Sequence, residues 1–400
     1  METLISVEEA SSRITSRIGP PVPELVPLDQ ALGRVLLNEV VAKESIPPFE
    51  NSAMDGFAVR SGDLGPSGGV LRIVGEVRAG QWPEALTGAG TCMRIMTGAP
   101  IPPGVDAVVP VEWTETVVGG TVRINKGIPK GRHIRGAGKD MEEGESVLAS
   151  GTRISSGAVA VLATLGFAAV QVGKRPRISV VSTGDELVPV NCKPAPGQIR
   201  NSNGPSLVSR AQEAGGELST HLHAVDEIEA VRSAVEEALE ADMLVFSGGV
   251  SVGDHDLVKD VLVEMGLELD FWKVKQRPGK PLAFGVLSGR PVFGLPGNPV
   301  SAAICFEQYV RPAIWKWQGM EHDSRTKMWA FLEEDFGKPA GLHVFARGIL
   351  SSAAGRLVVR PAGGQGSNLS MSMVRANCVA HLPEDWEEAP KGSLVEVELM

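Results

Sequence analysis

From residue 175 to 318 the chain alternates short apolar runs with amphipathic stretches, a pattern best met by a parallel sheet with helices on its faces. Arg177 to Ser182, Met243 to Ser247 and Pro291 to Leu295 read as strands, and Pro205 to Ala214 and Leu257 to Met265 as helices. A further helix is expected from Asp226 to Ala241, with Ile228, Val231, Val235 and Leu239 on one face and capping-box spacing between Asp226 and Glu229. Asn298 can cap, and Pro299 can open, a helix running through Arg311.

The flanks read differently. Residues 1–42 are expected to be helical, with Ile14, Ile18, Leu32 and Val35 as apolar positions and Pro20, Pro21 and Pro23 as interruptions. Residues 153–172 return to a helical pattern that runs into a strand, so 1–42 and 145–174 are assigned to one elongated helical domain. Between them, 43–144 is an inserted β-rich domain of short runs such as Val70 to Val77, Thr91 to Met96, Ala107 to Glu112 and Thr121 to Ile124. Residues 319–400 show short strands and Gly-rich turns and are expected to close a small β-barrel. The 47 glycines and 28 prolines suit this turn-rich plan, and the 400 residues allow several cores. The fold class is therefore multidomain α/β plus β: a doubly wound 175–318 domain, the inserted β domain, the helical segment and the barrel.

A formal net charge of −10 argues against nucleic acid or an anionic membrane as partner and obliges any anionic substrate to find a local basic patch. Cys92, Cys192, Cys305 and Cys378 form no close pair, which fits a reducing cytoplasm. The first residues lack the basic and apolar regions of a signal peptide, and the most apolar stretch, Gly157 to Val172, is too short for a membrane span. A soluble protein is expected.

Two loops and one charged segment carry the candidate chemistry. Ser247-Gly248-Gly249-Val250-Ser251-Val252-Gly253-Asp254 follows a buried strand and precedes a helix, where glycines admit a phosphate close to the backbone. The same sequence is equally a tight turn with a cap. Ser182-Thr183-Gly184-Asp185-Glu186 ends another strand of the same sheet, so Glu186 and Asp256 are expected to face each other as ligands for Mg²⁺ bridging a phosphate. Asp226 reads better as a helix cap. Lys273, Lys275 and Arg277 alternate along an expected strand and, with Lys280, form the basic ledge that an anion needs; a solvated strand face is the alternative. Gly294 to Pro299 places another helix start on the same rim.

Seven ordered segments, PPFENSAMDGFAV, RIMTGAPIPPGVDAVVPVE, STGDEL, GQIRNSNG, SGGVSVGDHD, FWKVKQRPGKPLAFG and FGLPGNPVSA, resemble the molybdopterin molybdotransferase family, which includes bacterial MoeA and the E domain of gephyrin. The resemblance runs from about residue 5 to the C-terminus. It implies a homodimer whose cleft joins the α/β domain of one subunit to the inserted domain of the other. It also implies catalytic roles for Asp55, Thr97, Asp140, Glu186, Asp226, Asp256, Lys273 and Arg277, with Pro296, Pro299, Ser367 and Arg347 shaping or reaching the cleft. Ser247, Gly248, Gly249, Ser251, Lys275 and Lys280 would then bind substrate. Relatives usually carry an acidic residue where this chain has Lys139, next to Asp140.

The implied reaction combines adenylylated molybdopterin with molybdate, giving molybdenum cofactor and AMP, with the enzyme making the preceding intermediate as an expected partner. Two other readings stay open. One is that molybdopterin adenylyltransferase itself, whose domain resembles residues 175–318 but which usually carries a TGGTG-type loop. The other is a gephyrin-like receptor-clustering scaffold, which would need a linker and a fused domain.

Overall fold

The computed structural model describes residues 4–117, 119–249, 257–320 and 325–400. The chain folds into two units, one of Met1–Asn38, Gly151–Val159 and Ala168–Met400, the other of Glu39–Ser150 and Ala160–Phe167.

In the first unit, helix α1 (Val7–Arg17) is capped by Ser6, whose hydroxyl accepts the Glu9 N–H at 3.1 Å. The helical reading of residues 1–42 ends here. Residues 23–27 are instead a strand, paired antiparallel with 169–173, and Leu32 is 61% exposed. The prolines at 20, 21 and 23 remove the donors a helix would need, and the extended backbone finds a distant partner instead. Helix α1 buries Ala10, Ile14 and Ile18 in the same core as Ile178, Leu207, Phe284 and Phe306 of the α/β region. It is part of that region's covering layer.

The central sheet holds β1 (Arg177–Thr183), β2 (Glu217–Ala224), β3 (Met243–Ser247), β4 (Glu268–Lys273), β5 (Pro281–Leu287) and β6 (Arg290–Leu295). Their spatial order is β2-β1-β3-β6-β5-β4, with the first four strands parallel and the last two pairings antiparallel. Helices α2 (Asn203–Glu213), α3 (Ile228–Ala238) and α4 (Leu257–Glu264) connect strands, and α5 (Pro299–Cys305) continues through a π turn into α6 (Arg311–Trp317). The expected stop at Arg311 is therefore passed by six residues, to Trp317. Val180, Val245 and Phe293 face one buried cluster, and Val181, Leu244, Phe246 and Val292 face another with Val231, Val235 and Val258. Both faces are covered, which is why these strands are continuous apolar runs.

Strands β7 (Lys327–Leu332), β8 (His343–Ala353), β9 (Arg356–Pro361), β10 (Cys378–Leu382) and β11 (Leu394–Leu399) form a closed ring, each hydrogen-bonded to two others. The expected barrel is present. Its interior is filled by Ala330, Val344, Val359, Ala380 and Val397, all buried.

The second unit holds a six-stranded sheet in the spatial order 107–110, 56–59, 91–95, 69–77, 121–124, 114–117. Phe57, Val59, Leu71 and Val109 pack on one face and Ala58, Val77, Ile95 and Val108 on the other. The β-rich reading of this stretch agrees with the structure. Among the described residues no helix is long and apolar enough to cross a membrane.

Candidate active site

The sheet order reverses between β1 and β3: β1 leads outward to β2 on one side, whereas β3 leads the other way, to β4 at the far edge. Loops leaving the carboxyl ends of β1 and β3 diverge there and leave a crevice, the usual ligand position in open α/β sheets. A cavity of about 620 Å³ lies at this point, walled by the turns after β1, β3 and β6. Glu186, Asp226, Ser247, Gly248, Gly249, Pro296 and Pro299 all line it.

The glycines are there for geometry. Gly248 and Gly249 have φ of 96° and 63°, and a side chain on Gly248 would strike the Thr183 carbonyl oxygen at 2.5 Å. Gly184, at φ 144°, lets the Glu186 carboxylate fold back over its own turn, into space that a Cβ would occupy. One side chain then ties two walls together. Asn203, the first residue of α2, donates its amide to Ser247 Oγ and to the Gly297 carbonyl, both at 2.8 Å.

Asp226 does not cap α3. The cap position is Glu227, which makes no side-chain cap bond, and Asp226 lines the cavity instead. The loop is held the other way round, with the Asp226 backbone N–H donating to Asp185 Oδ1 at 2.9 Å. Partial burial, then the charges of Asp185 and Glu186, raise the Asp226 carboxyl above its ordinary range.

The basic ledge is arranged differently from a strand face. Strand β4 ends at Lys273; Val274 and Gln276 are fully buried, while Gln276–Arg277 pairs with His343–Val344 of the barrel. Burial does alternate, so Lys273, Lys275 and Arg277 share the less buried side, but the segment bridges two sheets. The buried Gln276 pulls it across, donating to the Gly279 carbonyl at 2.8 Å and accepting the Tyr309 hydroxyl. Lys275 Nζ is paired with Glu384 at 2.8 Å, on the wall of a second cavity of about 920 Å³. None of Lys273, Lys275, Arg277 and Lys280 lines the crevice; Arg200 is the cation among its described lining residues.

Arg347 is 1% exposed and donates to Ser372 Oγ at 3.0 Å and to the Gly364 and Gly366 carbonyls at 3.1 Å. Burial, followed by the nearby Arg277 charge, lowers its guanidinium to about 10. It shapes the loop that carries Ser367, whose carbonyl accepts the Val300 N–H at 3.1 Å, and Asn368, which lines the crevice. Asp55, Thr97 and Asp140 belong to the second unit. There the Thr97 N–H donates to Asp55 Oδ1 at 2.7 Å, and this bond, with Thr97's side chain, lowers the Asp55 carboxyl. Ser251 and Asp256 lie outside the described residues.

Thr183, Asn203 and Asn368 line the crevice although sequence reasoning assigns them no role. Asn203 sits in the GQIRNSNG segment, which carries the resemblance but no chemistry of its own.

A doubly wound domain with a glycine-turn crevice at its switch point, in a chain that also holds a closed barrel and an inserted β unit, places the protein among the α/β ligand binders. Three family models match in order: "MoeA N-terminal region (domain I and II)" over residues 5–166, "Probable molybdopterin binding domain" over 179–316 and "MoeA C-terminal region (domain IV)" over 330–400. The chain is 36% identical to the "Molybdopterin molybdenumtransferase" of Staphylococcus epidermidis, over 99% of this chain and 95% of the relative. It is 35% identical to "Molybdopterin molybdenumtransferase 2" of Mycobacterium tuberculosis, over 98% of each chain. A crystal structure titled as a molybdopterin biosynthesis MoeA protein from Pyrococcus horikoshii superposes with a TM-score of 0.81 at 32% identity, covering 99% of both chains. The chain belongs to the MoeA family.

Proposed function

We propose that this protein is a molybdopterin molybdenumtransferase that takes adenylylated molybdopterin and molybdate, releasing AMP with the finished cofactor. The observation that carries the reading is the meeting of Glu186, Asp226 and the Gly248–Gly249 turn in one crevice. Full-length likeness to transferases of that name supports it. An adenylyltransferase reading is less well supported, because the chain also carries the inserted domain and the barrel over the whole length of its transferase relatives.

Such a reaction needs no protein nucleophile, because the pterin's own sulfurs displace oxo groups on the metal. The protein's task is to hold two anions together, and positioning with fixed dipoles accomplishes that. The glycine turn lets the backbone approach a phosphate, and Asn203 fixes the turn's separation from the Pro296–Gly297 wall. Arg200 supplies positive charge within the crevice. Lys273, Arg277 and Lys280 are proposed to act on anions arriving from the barrel side. Asp55, Thr97 and Asp140 are proposed as residues that a second copy supplies in a homodimer.

Mg²⁺ belongs to the same proposal. Among the described residues there is no group of three or more His, Cys, Asp or Glu side chains suited to a metal. Glu186 and Asp256 remain the proposed ligands, Asp256 lying outside the described residues, and Asp226 on the same wall is a further one. One or two acids suit Mg²⁺, which keeps several waters and binds substrate phosphate as well. Gly184 keeps the Glu186 carboxylate folded over the turn, and Asp226, beside Asp185 and Glu186, gains by having its charge countered. The ion would supply charge neutralisation on the phosphoanhydride. A cytoplasmic setting fits the three buried cysteines, Cys92, Cys305 and Cys378, all free thiols.

The test is reconstitution with adenylylated molybdopterin and molybdate. Molybdate-dependent AMP release with formation of active cofactor is expected; ATP-dependent adenylylation of molybdopterin in its place would replace this reading.

A further inference from the structure

Three hydroxyls end adjacent parallel strands at the floor of the crevice: Ser182 and Thr183 on β1, and Ser247 on β3, in register with Ser182. They are differently committed. Ser247 Oγ accepts from Asn203 at 2.8 Å. Ser182 Oγ and Thr183 Oγ1, in residues 0% and 4% exposed, are buried and have no hydrogen-bond partner among the described residues.

An unpaired buried hydroxyl costs stability that a methyl group would not. The preceding residues, Val180 and Val181, show that this strand takes apolar side chains readily. Strand alternation sends Ser182 and Thr183 to opposite faces, yet both border the crevice because the strand stops there. The Thr183 hydroxyl also lies beneath the bare glycines: a Cβ on Gly248 would come within 2.9 Å of it, and one on Gly249 within 3.0 Å. The Thr183 hydroxyl thus sits directly under the surface that the glycine turn offers to a group resting on it.

The neutrality matters. Glu186 and Asp226 on the same wall repel an anion, and Arg200 is the cation among the described lining residues. A hydroxyl can donate to an oxyanion without adding charge and can rotate to suit the acceptor. We propose that Thr183, assisted by Ser182, is a substrate-binding residue whose hydroxyl donates to an oxygen of a tetrahedral oxyanion on the glycine turn. Within the transferase reading on which this rests, that oxyanion is either a phosphoryl group of the pterin substrate or molybdate.

The test uses the full chain and the variants Thr183→Val and Thr183→Ser, with AMP, inorganic phosphate and molybdate titrated separately by calorimetry. Thr183→Val is expected to melt at the same temperature as the wild type or higher, because it removes an unpaired buried group. It is also expected to weaken one oxyanion class about tenfold. Thr183→Ser keeps the donor and should bind within about twofold of the wild type. Weakening confined to AMP and phosphate identifies the phosphoryl group, and weakening confined to molybdate identifies the metal oxyanion. Unchanged binding of all three probes by Thr183→Val overturns the proposal, as does an equal loss in Thr183→Ser, which would mark a packing role. These titrations require no turnover, so a chain that binds but transfers no molybdenum would remove the transferase reading while leaving this assignment standing.

Discussion

Asp185 accepts the backbone N–H of Asp226 at 2.9 Å, so the residue that fixes the loop also sets a negative charge beside the carboxylate it positions. Burial is the larger cause of the raised Asp226 carboxyl, and the Asp185 charge follows it. Asp185→Asn keeps a carbonyl acceptor for the N–H and deletes the charge. The Asp226 titration midpoint, followed by carboxyl NMR, should fall part of the way toward the ordinary 3.8. An unmoved midpoint would show that the charge is screened.

Cation binding should follow the same titration. In the Mg²⁺ site proposed above, Asp226 would bind the ion in its ionised form, and its carboxyl is raised. Affinity should therefore be lost as pH falls through a midpoint above the ordinary carboxylate range. Mn²⁺ binding by paramagnetic relaxation, followed from neutral pH down through the carboxylate range, checks the sign; a pH-independent affinity would exclude Asp226 as a ligand.

Glu186→Ala should leave the fold intact, because Glu186 is exposed, and slow AMP release by about 10²-fold. Gly184→Ala should reproduce part of that loss by displacing the same carboxylate. Single-turnover AMP release measures both, and wild-type rates in Glu186→Ala would remove it from the mechanism.

Arg347 serves two carbonyls and a hydroxyl through one planar fork, which a lysine head cannot reproduce. Arg347→Lys should cost about 3 kcal/mol, read by urea unfolding, since it strands buried acceptors. Substrate binding should weaken alongside, through the loop carrying Asn368. A fully stable variant would contradict the network.

His343 offers a separate pH signature. Burial, then the neighbouring His381, depresses it to about 4 from an ordinary 6.5. Its neutral form is the folded one, so the stability it contributes is present above 6.5 and is lost as pH falls through about 4. His343→Phe should flatten the decline in melting temperature across that window by a few degrees. An unchanged slope would assign acid sensitivity to other groups.

What the sequence discloses depends on how local the cause is. Arg177 to Ser182 and Met243 to Ser247 are readable as strands because each is short and mostly apolar, and Thr121 to Ile124 because it alternates, and the structure places each within one residue of its expected ends. The proline-broken stretch after Ile18 reads wrongly as helix, since its partner lies at residues 169–173, beyond any local pattern. Asp226 misleads for a related reason: capping spacing is a local signal, whereas its carboxylate answers to Asp185 and Glu186, about forty residues away. Asn203 joins positions 44 and 94 residues distant, and no periodicity announces such a bond. The glycine turn reads equally as a phosphate cradle or a capped tight turn, and only its place beside Glu186 on the crevice, which no local pattern announces, separates the two. The family resemblance supplies the rest.

The five-membered ring of β7 to β11 has one further consequence. With β11 seated between β7 and β10, the chain's last strand is a stave on which closure depends. Premature termination before Leu394 would leave two raw sheet margins, each able to recruit a stranger's backbone. Loss of Leu394–Leu399 would thus register as clumping.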